Sequence, residues 1–164
     1  MLVRLFWGKI VVKFRACALF ICLAMPVVTQ ALEIKSAYVR GLPPNQRNTA
    51  AFFSVENSGT EVVELQAGSS DAAARLEIHA HQHQNGMMSM QMQPSVRIEA
   101  GQRIRFVPGG YHLMLIDLKQ PLIEGDSVSF SLRTVGGEEL SVTAPVISVL
   151  NEASALNDII GKQP

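Results

Sequence analysis

The chain has 164 residues with 14 basic and 14 acidic side chains, so its formal net charge is zero. Four of the basic residues and none of the acidic ones lie in the first 31 positions, which leaves ten against 14, a net of −4, for residues 32–164. That balance argues against a nucleic-acid binder, which usually shows a basic face, and the remaining 133 residues suit one domain with a real core.

Residues 1–31, MLVRLFWGKIVVKFRACALFICLAMPVVTQA, read as a cleaved secretory signal peptide. Arg4, Lys9, Lys13 and Arg15 make the basic start, and Ala16 to Val28 make the apolar run. Thr29-Gln30-Ala31 sets cleavage after Ala31. A retained anchor is the competing reading, but the apolar run falls short of the roughly 20 residues a span needs. Lipid attachment at Cys22 is another, and Leu19-Phe20-Ile21 matches an attachment box poorly. Both cysteines, Cys17 and Cys22, lie in this segment. Residues 32–164 therefore offer no disulfide and no thiolate ligand. Outside the cytoplasm thiols tend to oxidise, a hazard that histidine and methionine donors avoid.

From residue 32 the chain reads as short strands separated by turns. Expected strands are Glu33 to Arg40, Asn48 to Glu56, Glu61 to Ala67, Arg75 to His79, Arg103 to Val107, Tyr111 to Leu118, Ser127 to Arg133 and Glu139 to Val149. The last is open to a break at Pro145. Gly41-Leu42-Pro43-Pro44-Asn45 and Asn57-Ser58-Gly59 punctuate them. Period-two alternation with this density of turns predicts an all-β domain, a sandwich or barrel. Ser70 to Ala74 could form one helical turn, capped by Ser70 or Asp71. Asn151 to Ile160 is either a short helix capped by Asn151 or a frayed tail.

The chemistry concentrates between Glu77 and Met114. His79, His81 and His83 alternate, as do Met88, Met90 and Met92, so each set shares one face of an extended segment. Methionine is usually core filler, and HAHQH alone could be a polar loop or a surface metal-scavenging tract. His112 and Met114 sit two apart in YHLMLIDL and leave one strand face together. Pro108-Gly109-Gly110 forms the turn before them. Neutral thioether sulfur with imidazole suits copper(I), whereas magnesium and calcium need oxygen ligands. The expected site is one copper(I) on His79, Met90, His112 and Met114. Zinc on His79, His81 and His83 is the alternative. An outer-shell group should orient each imidazole. Glu77, two residues from His79, is not expected to reach it directly.

The spacing resembles the periplasmic copper chaperone family called PCu(A)C. Its motif is a histidine, ten residues, a methionine, twenty-one residues, then His-x-Met. His79, Met90 and His112-Leu113-Met114 match every interval. AYVRGLPPNQRNTAAFFSVENSG, SSDAAARLEIH and GDSVSFSLRT are further likenesses. The resemblance implies a cupredoxin-like β-sandwich, one copper(I) bound by two histidines and two methionines, and a periplasmic location. It implies delivery to the dinuclear centre of cytochrome c oxidase subunit II, with a Sco-type assembly factor as a further partner. Copper storage or tolerance is the alternative role. Some relatives carry a histidine- and methionine-rich tail for copper(II), but NEASALNDIIGKQP has neither residue. The added imidazoles His81 and His83 leave open which ring binds. No enzyme is expected: residues 32–164 lack the cysteine of a blue-copper carrier and any G-x-S-x-G elbow. A monomer is expected, because a carrier must expose its metal edge.

Overall fold

A computed structural model describes residues 32–84 and 87–161, with the side chains of residues 82–88 outside the description. The expected signal peptide also lies outside the described residues. Ten strands and one helix follow in chain order. They are β1 (Leu32–Gly41), β2 (Thr49–Asn57), β3 (Val63–Ser70), β4 (Ala73–Gln84), β5 (Met87–Gln93), β6 (Val96–Ile98), β7 (Arg103–Phe106), β8 (Tyr111–Leu118), β9 (Ser127–Thr134), β10 (Glu139–Ser148) and α1 (Glu152–Ile160).

Hydrogen bonding runs in the order β5-β4-β8-β7-β2-β1-β10-β9-β3-β6, and β8 also pairs with β2. The ribbon folds over into two layers, joined where β1 lies parallel to β10. Alternate residues of both layers face inward around Phe53, Phe106, Phe130, Leu65, Leu113, Leu115 and Leu132. Phe53 and Phe106 stack with ring centroids 4.3 Å apart. The result is the nearly closed, cupredoxin-like β-sandwich that the strand pattern and the resemblance led us to expect.

β2 is buried on both faces, and each face has its own cover. Ala51, Phe53 and Val55 point into the sandwich. Ala50 and Phe52 point outward and join Tyr38 and Ile159 in a second apolar cluster, packed against Met114 and Ala155. A bulge in β1 makes this possible. The register shifts between Lys35 and Tyr38, with Ser36 at φ 55°. The extra residue moves the inward set from Leu32 and Ile34 to Val39 and turns Tyr38 to the outer face. Helix α1 then lays Ile159 over that face. Glu152 fixes the helix start, accepting from Tyr38 Oη at 2.8 Å, Arg40 Nε at 3.0 Å and Arg40 Nη2 at 2.6 Å.

Several local expectations need correction. Ser70 to Ala74 forms no helical turn. Asp71 and Ala72 make a tight turn that carries the chain from the β3 layer to the β4 layer. Pro145 does not break β10; it pairs in register with Ser127. The C-terminal segment is a helix, but Asn151 makes no side-chain cap. Its amide instead donates to Glu124 Oε1 at 2.6 Å. The methionine segment, absent from the expected strands, is the edge strand β5.

Candidate metal centre

Three neighbouring strands build the candidate site on the outer face of the β4 layer. β4 runs antiparallel to both β5 and β8. Its register places His79 opposite Met92, His81 opposite Met90 and His83 opposite Met88 on one side. On the other side His79 lies opposite His112 and Glu77 opposite Met114. Directly opposed residues share a face, so His79, His81, Met90, Met92, His112 and Met114 lie on one face of this layer.

The rim comes from backbone chemistry at the β7–β8 junction. β7 pairs with Phe53 to Glu56 of β2, and β8 with Thr49 to Ala51, so the two follow each other along one partner. The intervening turn is pushed out of the sheet. Gly110 N donates to Val107 O at 3.0 Å, and Gly109 takes φ 80°, a conformation that glycine adopts at little cost. Pro108 and Gly109 thereby flank a cleft with His81, Met90, His112 and Met114. Arg40, Leu42, Asn48, Thr49, Ala50 and Phe52 complete its walls. Met90 is half exposed, while His112 is only 4% exposed. The cleft thus has a sulfur at its mouth and an imidazole at its floor.

Hydrogen bonds fix which nitrogen of His112 and of His79 is free. His112 Nδ1 lies 3.1 Å from Gly110 O. A carbonyl only accepts, so Nδ1 carries the proton and Nε2 keeps its lone pair. His79 Nε2 lies 2.8 Å from Glu77 Oε2. The carboxylate accepts, so Nε2 carries the proton and Nδ1 is the free donor. That Nδ1 is buried with no hydrogen-bond partner, as is Nδ1 of His81. Buried polar atoms are rarely left unpaired, and two unpartnered imidazole nitrogens at a cleft lined with thioethers suit ligation of a soft cation. This corrects the expectation for Glu77. Successive same-face residues in β4 come within direct reach, and Arg75 Nε steadies the carboxylate at 3.0 Å from Oε1.

Electrostatics keep these groups in their working states. Burial holds the His112 pKa below its ordinary value, against the raising effect of the Gly110 hydrogen bond, and the nearby His81, His79 and Arg40 push the same way as burial. The His112 ring therefore stays neutral, as a ligand must. Glu77 is held below the usual carboxylate range, chiefly by the His79 hydrogen bond and then by Arg75.

Of the four expected ligands, Met90, His112 and Met114 line one cleft. His79 lies beside it rather than in its lining, with its ring centroid 6.0 Å from that of His112. His81 does line the cleft, 5.3 Å from His112. Among the described residues no three His, Cys, Asp or Glu side chains converge to hold an ion. The His83 side chain, part of the alternative zinc set, lies outside them. Sequence reasoning missed Glu77, whose only signal is its i, i+2 position, and Arg40, whose placement depends on the β1 bulge.

Comparison with known proteins agrees with this architecture. Residues 32–146 match the family described as "Putative lipoprotein LpqE-like". A relative from Leifsonia xyli subsp. xyli, "Putative lipoprotein Lxx21020", is 35% identical over 116 residues, which is 70% of this chain and 69% of the relative. The copper-bound PCuAC domain from PmoF2 superposes with a TM-score of 0.62 at 17% identity, over 73% of this chain and 94% of that one. The solution structure of CuI-DR1885 from Deinococcus radiodurans gives a TM-score of 0.60 at 29% identity, over 80% of this chain and 85% of that one. The chain belongs to the LpqE-like family, and its fold is that of the PCuAC copper chaperone domains, as the spacing of its histidines and methionines implied.

Proposed function

We propose that this protein binds one copper(I) ion outside the cytoplasm and carries it to an acceptor. His79, Met90, His112 and Met114 supply the donors. The observation that carries this reading is the cleft itself, where two thioethers meet a neutral, backbone-oriented imidazole. Two further imidazole nitrogens beside it are buried and unpartnered. Soft sulfur with borderline nitrogen favours the reduced ion. Likeness to a copper-bound PCuAC domain and to CuI-DR1885 supports the same cargo. The lipoprotein description of the family supports a location outside the cytoplasm, and the periplasm is the compartment we propose. The half-exposed Met90 leaves the ion open to an incoming ligand, which suits transfer more than catalysis.

The acceptor we propose is the dinuclear copper centre of cytochrome c oxidase subunit II, with a Sco-type factor in the same route. One copper(I) for the 133 residues from 32 to 164 would be a poor store, so delivery is favoured over storage. Titrating metal-free protein with copper(I) and with zinc under reducing conditions tests the cargo. Copper(I) is expected to bind tightly at one equivalent, and tighter zinc would overturn the reading. Deleting the gene and assaying oxidase in copper-poor medium tests the route. Oxidase loss rescued by wild type but not by a Met90→Leu/Met114→Leu variant is expected. Intact oxidase with lost copper tolerance would point to storage.

A further inference from the structure

We infer that His81 is itself a copper ligand, alternating with His79 about the shared donor His112. The inference rests on the copper-binding reading of this cleft. Three observations carry it. His81 lines the cleft with Met90, His112 and Met114, whereas His79 does not. Its ring lies 5.3 Å from His112, closer than the 6.0 Å of His79. Its Nδ1 is buried without a partner, the same orphaned state as Nδ1 of His79.

The strand register explains why two imidazoles compete for one place. His81 lies opposite Met90, and His79 lies opposite His112, one step along the same face. His112 therefore has two β4 imidazoles beside it, His79 directly opposite and His81 two residues further along towards Met90. The two rings are not equivalent. His79 is held by Glu77 through Nε2. His81 stands nearer the mouth, beside the exposed sulfur of Met90. Only one of them needs to bind at a time, since no three-imidazole cluster is assembled among the described residues. Moving the ion from His79 to His81 forms one copper–nitrogen bond as another breaks. No proton or electron is required, because both rings donate as neutral bases. The step shifts copper outward without stripping it of ligands, which is what an exchange with an acceptor demands.

The test uses the full protein with His79→Asn, His81→Asn and the double substitution. Copper(I) affinity is read anaerobically by competition with a chromophoric chelator. Histidine ring nitrogens are followed by 15N NMR in the wild type. We expect His79→Asn to keep one copper(I) within about tenfold of wild type, because His81 substitutes. Adding His81→Asn should then cost more than the roughly 10–100-fold typical of outer-shell changes. In the wild type, Nδ1 of His81 should shift on loading. Unmoved His81 nitrogens in a protein that binds one copper(I) would overturn the inference. So would a His79→Asn variant already as weak as the double. Failure of the wild type to bind copper(I) would instead bring down the functional reading on which the inference depends. The NMR arm needs no variant to fold.

Discussion

His112 combines the features a soft-metal ligand needs: burial, a backbone acceptor for one nitrogen and an open face for the other. Its burial has a measurable consequence without metal. The unfolded chain takes up a proton at the ordinary histidine pKa of 6.5, while the folded ring resists until lower pH. Between those values the unfolded state binds more protons, so stability falls as pH drops. Urea unfolding of the metal-free protein should lose stability from pH 7.5 to 5.5, and His112→Gln should flatten that slope. An unchanged slope would show that His112 titrates as it does in the unfolded chain. Copper(I) should likewise be released as acid protonates the imidazoles. Glu77 acts through His79, fixing its tautomer. In a His81→Asn background, where no second imidazole can compensate, Glu77→Gln should weaken copper(I) binding about 10–100-fold. The 15N shifts of His79 should then report a mixed tautomer. The His112–Met114 pair was legible in the sequence because period two in an apolar strand fixes its face. The Glu77 contact was not, because a same-face neighbour two residues away meets its partner only in particular rotamers.

At the scale of elements, the site depends on β4, β5 and β8 keeping register, and on α1 closing the face beside them. The alternation of His79, His81 and His83 with Met88, Met90 and Met92 foretold two one-sided segments. It did not foretell that β4 continues to Gln84 and pairs with β5 through seven residue pairs. The polar glutamines and a central Asn-Gly obscured that pairing. The helix was undecided in the sequence as well. Among its residues only Ile159 is buried, and its start is fixed by the distant Tyr38 and Arg40. Glu152 is therefore the sensitive point. Burial, and then the Glu152 contact, raise the Tyr38 phenol well above its ordinary pKa, so it remains a donor. Glu152→Ala strands that hydroxyl and the Arg40 guanidinium. An unpaired buried polar group costs about 1–3 kcal/mol, and chemical denaturation should show a loss on that scale. Arg40 also stacks 4.8 Å over Phe52 and lines the cleft. The same variant should thus perturb copper(I) affinity, while an exposed control such as Glu139→Ala should not.

Across the whole molecule, the sandwich core and the metal face are separate. Phe53, Leu113 and Leu115 pack inward from the strands whose outward residues, Phe52, His112 and Met114, make the cleft. Alternation along β2 and β8 therefore encodes fold and site together. That is why the strand pattern and the ligand spacing pointed to the same architecture. The parallel closure of β1 on β10 joins residues over 100 positions apart, and no local pattern announces it. With a rigid core behind them, the cleft residues can change their bound ion without remaking the fold. The most direct test of this account is X-ray absorption at the copper edge of the copper(I)-loaded protein. The account predicts a mixed first shell in which thioether sulfur and imidazole nitrogen both contribute, with no sign of copper(II). A shell of nitrogen and oxygen alone would contradict it, because Met90 and Met114 would then have no part in holding the ion.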